Sequence, residues 1–257
     1  MKGVKLYNNP EDIKRTVILM KELKIDTVLL GNEASGNKAL ISALQIAKIS
    51  PFLVFPVFYN PEYLKENINH GCFCDNCLND FSQMTALPTD MSGQSLRNWI
   101  LEKAPLLWSE WKQQKIFSAA KDLIAAIHSV NPKLKTAIHI VPWMSGEFGN
   151  GREEIAGQSI QKLSALTDFL TPMTYGPMCQ RGSEWTNILV RDMDLLSSVP
   201  IVPAIQVAKA YDEEVVSPER FRADLTSALQ NPSGGVLLWS WETLMMSPEK
   251  QNIFKEI

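Results

Sequence analysis

The chain has 257 residues, a length that is ordinary for a single α/β barrel. Its apolar content of 45% and charged content of 21% are those of a globular protein and exclude a disordered one. The net charge of −3 and pI near 5.7 exclude a strongly basic surface, and no apolar run approaches the roughly 20 residues of a membrane-spanning helix, so neither nucleic acid nor a membrane is an expected partner.

Short apolar or β-branched runs alternate with helical patterns in the first half of the chain. Strands are predicted over residues 4–7, 26–31 and 51–58. The sequence Asn9-Pro-Glu-Asp is typical of a helix start, because it places an N-cap side chain, a proline and acids in order. A second helix is predicted over residues 38–49.

The second half repeats this alternation. Predicted strands cover 135–141, 168–175, 200–207 and 235–241, and predicted helices cover 108–130, 155–166 and 186–197, with helix starts at Ser217-Pro-Glu and Ser247-Pro-Glu. Alternating strands and helices indicate parallel pairing, and continuously apolar strands indicate burial on both faces. We therefore predict an α/β fold, a TIM (β/α)8-like barrel, as one domain over residues 1–257.

The interval between the third and fourth of these seven strands is unusually long. It spans about 80 residues, enough for another βα unit, yet no segment in it has a good strand pattern. The barrel either has a distorted, cryptic fourth strand or lacks it and is open or seven-stranded. A Cys-containing insertion is predicted around residues 60–107. A doubly wound sheet is disfavoured, because no Gly-rich phosphate loop follows the first strand.

Aromatic and amide residues stand where the predicted strands end, which is where barrels carry their active sites. Sugar rings stack on Trp and Tyr, and sugar hydroxyls pair with Asn, Gln and Glu. The pattern therefore favours a carbohydrate ligand. The candidate substrate-binding residues are Tyr7, Asn8, Tyr59, His139, Trp143, Tyr175, Gln206, Trp239 and Trp241. Each also has a structural explanation; His139, for example, alternates with apolar residues and is either a core histidine or a site residue.

Glu242 and Glu33 are the carboxylates best placed for catalysis, with Glu147 as a third candidate. Hydrolysis of a glycosidic bond needs a proton donor and a second carboxylate about 5 to 10 Å apart. The alternative role for Glu242 is to cap the helix or loop after the last strand. An aldolase or isomerase barrel would instead need a buried lysine at a strand end, for which Lys209 is the candidate.

Three of the four cysteines, Cys72, Cys74 and Cys77, lie within six residues. They can supply three ligands of a tetrahedral structural zinc, with His70 or Cys179 as the fourth. Reduced thiols without metal and a disulfide or redox role are the alternatives. The start of the chain lacks the apolar core of a signal peptide, so a cytoplasmic location is expected, where thiols stay reduced.

Three segments resemble glycoside-hydrolase-like TIM-barrel proteins: Asp168-Phe-Leu-Thr-Pro-Met-Thr-Tyr175, Gly235-Val-Leu-Leu-Trp-Ser-Trp-Glu242 and the cysteine segment. The Cys-x-Cys-x-x-Cys spacing followed by a helix is similar to the zinc cluster of family 42 β-galactosidases. The resemblance implies a (β/α)8 fold, carboxylate catalysis and a sugar substrate. It also implies an upstream fourth cysteine and a fourth strand ending in an acid, and this sequence has neither before Cys72.

These features together predict a glycoside hydrolase or related carbohydrate-active barrel, acting on a glycan through Glu242 and Glu33 at the carboxyl ends of the strands. The alternative is a degenerate barrel that has lost its catalytic acid and serves as a carbohydrate-binding or scaffold protein.

Overall fold

The computed structural model describes residues 1–55, 73–85, 91–211 and 215–257. Its strands are β1 (Lys2–Leu6), β2 (Thr27–Leu30), β3 (Ser50–Leu53), β4 (Ala137–Ile140), β5 (Phe169–Pro172), β6 (Ala204–Gln206) and β7 (Val236–Trp239). Its α-helices are α1 (Ile13–Glu22), α2 (Lys38–Ile46), α3 (Asp75–Thr85), α4 (Gly93–Lys103), α5 (Pro105–Val130), α6 (Gly151–Glu154), α7 (Ile160–Ser164), α8 (Trp185–Asp194), α9 (Pro218–Ala228), α10 (Trp241–Met245) and α11 (Pro248–Lys255).

All seven predicted strands are present, and every ladder between them is parallel. Five pair in the order β3-β2-β1-β7-β6, and β4 pairs with β5. Backbone hydrogen bonds join the two groups, because the Leu170 amide donates to Pro200 O at 3.1 Å and the Val202 amide donates to Leu170 O at 2.8 Å. The strands therefore follow one another in chain order, and β7 returns to β1, as in a (β/α) barrel. Across the described residues no ladder joins β3 to β4, the interval where the sequence offers no fourth strand.

Alternate residues of each strand face two different cores. Val4, Leu6, Val28 and Leu30 pack outward against the helices, in a cluster that includes Trp241 and Phe254. Inside the barrel a second cluster contains Leu29, Phe52, Phe169, Ala204 and Leu237, and the rings of Phe52 and Phe169 meet edge to face with centroids 5.4 Å apart. On β1 the inward residues are therefore Gly3 and Lys5, a placement that decides the character of the site.

Side-chain caps fix several helix starts. Ser217 and Ser247 accept hydrogen bonds from the third helical amide, as their Ser-Pro-Glu sequences predict. The predicted cap at Asn9 is wrong, because α1 begins at Ile13 and the Asp12 carboxylate accepts from the Arg15 amide at 2.9 Å. No helix within the described ranges is long and apolar enough to cross a bilayer.

The described part of the predicted insertion has its own hydrophobic cluster. Side chains of α3, α4 and the start of α5 form it: Leu78, Phe81, Leu96, Ile100, Trp108 and Trp111. The helix α5 has 26 residues, which gives a length of about 39 Å. Because α5 leads into the amino end of β4, its first turns lie at the level of the carboxyl ends of the strands. This cluster therefore stands beside the barrel mouth.

Candidate functional site

Glu242 joins the end of β7 to the end of β1. It lies in the first turn of α10, and its Oε1 accepts hydrogen bonds from the amides of Tyr7, at 2.8 Å, and Asn8, at 3.0 Å. Its Oε2 is buried and has no hydrogen-bond partner among the described residues. Two backbone donors thus orient the carboxylate through Oε1, and Oε2 is left without a hydrogen bond from the described residues.

An aromatic group stands beside this carboxylate. Trp239, the last residue of β7, stacks on Tyr175 with ring centroids 4.4 Å apart, and its side chain hydrogen-bonds with that of Tyr7. Burial raises the pKa of Tyr7; the Trp239 hydrogen bond opposes this shift, and the Glu242 charge adds to it. Gly31 leaves room for the Tyr7 ring, because a Cβ at position 31 would lie 2.8 Å from a carbon of that ring.

Below these rings the barrel interior is polar. Lys5 is 4% exposed and donates a hydrogen bond to the Tyr175 hydroxyl over 3.1 Å. Burial lowers the pKa of Lys5 to about 8 and raises that of Tyr175. His139 Nδ1 lies 3.4 Å from Thr171 O, and burial, followed by the charge of Lys5, lowers the pKa of His139 to about 3. The imidazole is therefore neutral at pH 7, and because a carbonyl only accepts, Nδ1 carries the proton.

Two other predicted substrate residues have structural roles. Gln206 is fully buried, its carbonyl accepts from the Met178 amide at 3.2 Å, and its NH2 group donates to Ala208 O at 2.8 Å. It thereby ties together the loops after β5 and β6. Trp241 is 5% exposed within the outer core, because the chain enters α10 at this residue and turns its indole away from the mouth.

The remaining predicted residues are more exposed or lie elsewhere. Glu33 is exposed in a 3-10 turn (Asn32–Gly36) after β2. Asn8 is exposed beside Tyr7, and Lys209 is exposed after β6. Tyr59 lies outside the described residues.

Sequence reasoning missed Arg152, which holds the loop after β4, and took Glu147 only as a third candidate carboxylate. Arg152 is 1% exposed and donates to Trp143 O at 3.1 Å, Ser145 Oγ at 3.3 Å and Asp192 Oδ2 at 3.3 Å. Glu147 accepts from the Arg181 guanidinium at 2.6 Å, which joins this loop to the loop after β5. Trp143 is thus held in place by its own loop, half-buried against Phe148 with ring centroids 5.3 Å apart.

A groove of about 830 Å³ lies on the outer helical face, between α8, α9 and α11. None of the predicted site residues lines it. The groove is therefore separate from the group at the strand ends.

The cysteines are only partly described. Cys74 precedes α3, Cys77 lies within it against the insertion cluster, and Cys179 follows β5 beside a different cluster. Burial raises the pKa of Cys179. Cys72 lies outside the described residues. In the part of the chain that the structure describes, no three His, Cys, Asp or Glu side chains are grouped as metal ligands.

A structural zinc therefore stays a prediction. Metal analysis of the purified protein is expected to find one zinc per chain, and Cys74→Ser is expected to abolish it, because a tetrahedral structural site fails without one of its thiolates. Cys179→Ser tests the fourth ligand in the same assay. Less than a tenth of an equivalent of zinc in the wild type would leave the cysteines as plain thiols.

Comparison with known proteins defines the class of fold. No protein-family model and no curated protein matches the sequence. The structure is similar to the glycoside hydrolase domain of PgaB (BpsB) from Bordetella bronchiseptica, with a TM-score of 0.70, 11% identity, and coverage of 98% of this chain and 97% of that one. It is also similar to a glycoside hydrolase family 17 β-1,3-glucanosyltransferase from Rhizomucor miehei, with a TM-score of 0.50, 13% identity, and coverage of 93% and 86%. The chain has the fold of glycoside-hydrolase barrels, which confirms the fold class predicted from the sequence.

Proposed function

We propose that the protein is a carbohydrate-active barrel that hydrolyses a glycosidic bond at the carboxyl ends of its strands. The observation that carries this proposal is the contact group of Glu242, Tyr7, Trp239 and Tyr175. Aromatic faces next to an oriented carboxylate are what a sugar ring and its reacting carbon require. The glycoside-hydrolase fold supports the same conclusion.

Glu242 is the central carboxylate in this proposal. The two backbone amides on Oε1 hold it still, and Oε2, which is buried and has no partner among the described residues, is the oxygen assigned to the reaction. Glu33, exposed in the loop after β2, is assigned the role of the second carboxylate. Tyr7 and Trp239 stack on the sugar, and Asn8 orients its hydroxyls.

The test is a screen of aryl glycosides and polysaccharides with the wild type and Glu242→Gln. Glutamine keeps a carbonyl oxygen for the Tyr7 and Asn8 amides, so the fold is preserved while the charge is lost. We expect kcat to fall by about 10²- to 10⁴-fold. Glu249→Gln, an exposed glutamate on α11, is the matched control and is expected to keep full activity. Equal turnover by Glu242→Gln and wild type would remove Glu242 from the mechanism.

A second candidate is a barrel that binds glycans without cleaving them. It is favoured by the same two hydrogen bonds, because a glutamate that holds two backbone amides has a sufficient structural reason to be there. Glycan binding without turnover, weakened by Trp239→Ala and unaffected by Glu242→Gln, would select this candidate.

A further inference from the structure

Four polar side chains face one another inside the barrel, next to the Tyr175–Trp239 stack. His139 and Thr171 are paired in register on β4 and β5, Lys5 points inward from β1, and Tyr175 follows β5. Lys5, Thr171 and Tyr175 are 4%, 1% and 6% exposed. His139 and Trp239 are half-buried and keep some exposed surface beside these three residues. We call these four residues the interior cluster.

Hydrogen-bond donors in the interior cluster outnumber their acceptors. An ammonium group has three donors, and with partners in the described part of the chain Lys5 uses one of them, on the Tyr175 hydroxyl. The Thr171 hydroxyl is buried and has no partner among the described residues. The Tyr175 hydroxyl accepts from Lys5, which leaves its own proton to donate. A buried group of this kind is stable only when its donors find acceptors.

The charge of Lys5 is also uncompensated. Burial is the one influence on its pKa, and no carboxylate among the described residues offsets it. With a pKa of about 8, the amine still carries its proton in roughly nine-tenths of molecules at pH 7. A buried cation normally has an anionic partner. Here the described residues provide donors and a positive charge but no anion.

We propose that the interior cluster binds the carboxylate of an acidic sugar, so that the glycan recognised at this site contains a uronic acid. Lys5 and Thr171 donate to the carboxylate oxygens, Tyr175 adds a third donor, and the sugar ring lies towards Tyr7 and Trp239. This inference rests on the proposed glycan-binding function and specifies its substrate class. Lys5 is a specificity-determining residue in it, distinct from the carboxylates assigned to bond cleavage.

The inference is tested by isothermal titration calorimetry with uronate oligosaccharides of several linkages. Each acid is compared with its own neutral methyl ester. The wild type is expected to bind at least one acid more than 10-fold more tightly than its ester. Lys5→Met, which fills the same space without charge, is expected to remove that difference, and Thr171→Val to reduce it several-fold. Lys209→Met, at an exposed lysine after β6, is expected to leave it unchanged.

The outcomes separate the two proposals. Equal binding of an acid and its ester by the wild type overturns the interior cluster as a carboxylate site and leaves the glycan site intact. An acid preference that survives in both Lys5→Met and Thr171→Val also overturns it. If the wild type neither binds nor hydrolyses any glycan, the proposed function itself is overturned. Circular dichroism of each variant verifies its fold, and Thr171→Val provides the test if Lys5→Met does not fold.

Discussion

Acidification from pH 7 to pH 4 is expected to lower the free energy of unfolding of the wild type by about 3 kcal/mol more than that of a His139→Gln variant. The reason is the pKa of His139, which is about 3 in the folded protein against 6.5 for an ordinary histidine. Below pH 6.5 the His139 imidazole binds a proton in the unfolded chain, whereas in the folded chain it stays unprotonated until the pH is near 3. The stability contributed by the neutral imidazole is therefore complete above pH 6.5 and is lost progressively as the pH falls.

Urea unfolding at pH 7, 5 and 4 measures this effect as the difference between wild type and variant. Carboxylates titrate in both proteins and cancel in that difference. Glutamine keeps an N–H donor for Thr171 O, so the two proteins differ mainly in the titrating ring. His128→Gln is the control, because His128 is half-buried on α5 and, among the described residues, its ring is hydrogen-bonded to Leu134 O at 3.0 Å. A wild-type curve parallel to that of His139→Gln between pH 7 and 4 would refute the neutral state of the His139 imidazole.

Replacing Arg152 with methionine is expected to lower the free energy of unfolding by about 3–5 kcal/mol. The Arg152 guanidinium is 1% exposed and bonds Trp143 O, Ser145 Oγ, Glu153 Oε1 and Asp192 Oδ2. Methionine fills most of the volume but leaves these acceptors without a donor and the carboxylate of Asp192, 22% exposed, without its cation. The loop after β4 should lose its fixed position at the same time.

Arg222→Met is the matched control for this experiment. The Arg222 side chain pairs with Glu256 at 2.6 Å, yet the two side chains are 54% and 58% exposed, so its loss is expected to cost far less stability than the loss of Arg152. Chemical unfolding of both variants provides the comparison. Costs that are equal within error would mean that burial adds nothing to the Arg152 network.

The fold was accessible from the sequence because each strand is short, apolar and bounded by a recognisable helix start. The strand at 236–239, for example, is a run of Val, Leu, Leu and Trp, and the Ser-Pro-Glu starts locate α9 and α11. Helix bounds were less accurate: the Asn9-Pro-Glu-Asp sequence predicted a cap at Asn9, whereas the cap of α1 is Asp12, three residues later.

Site residues were harder to predict, because position at a strand end does not determine which way a side chain points. Trp239 and Trp241 are two residues apart, yet one faces the barrel mouth and the other the outer core, since β7 ends between them. Lys5 was missed because lysine is usually a surface residue. Its signal was present, however: Val4 and Leu6 are both apolar, so in a barrel they face the helices and Lys5 faces the interior.

The pairing of β1 has a consequence for how the protein is made. One neighbour, β2, follows it within about 25 residues, whereas the other, β7, is roughly 230 residues away in sequence. At a synthesis rate of about 5–20 residues per second, one edge of β1 stays without its partner for on the order of 10–45 s. An exposed parallel edge is prone to pair with other chains. Completion of the sheet is therefore a late, long-range event, and the nascent chain needs protection at the edge of its first strand until β7 leaves the ribosome.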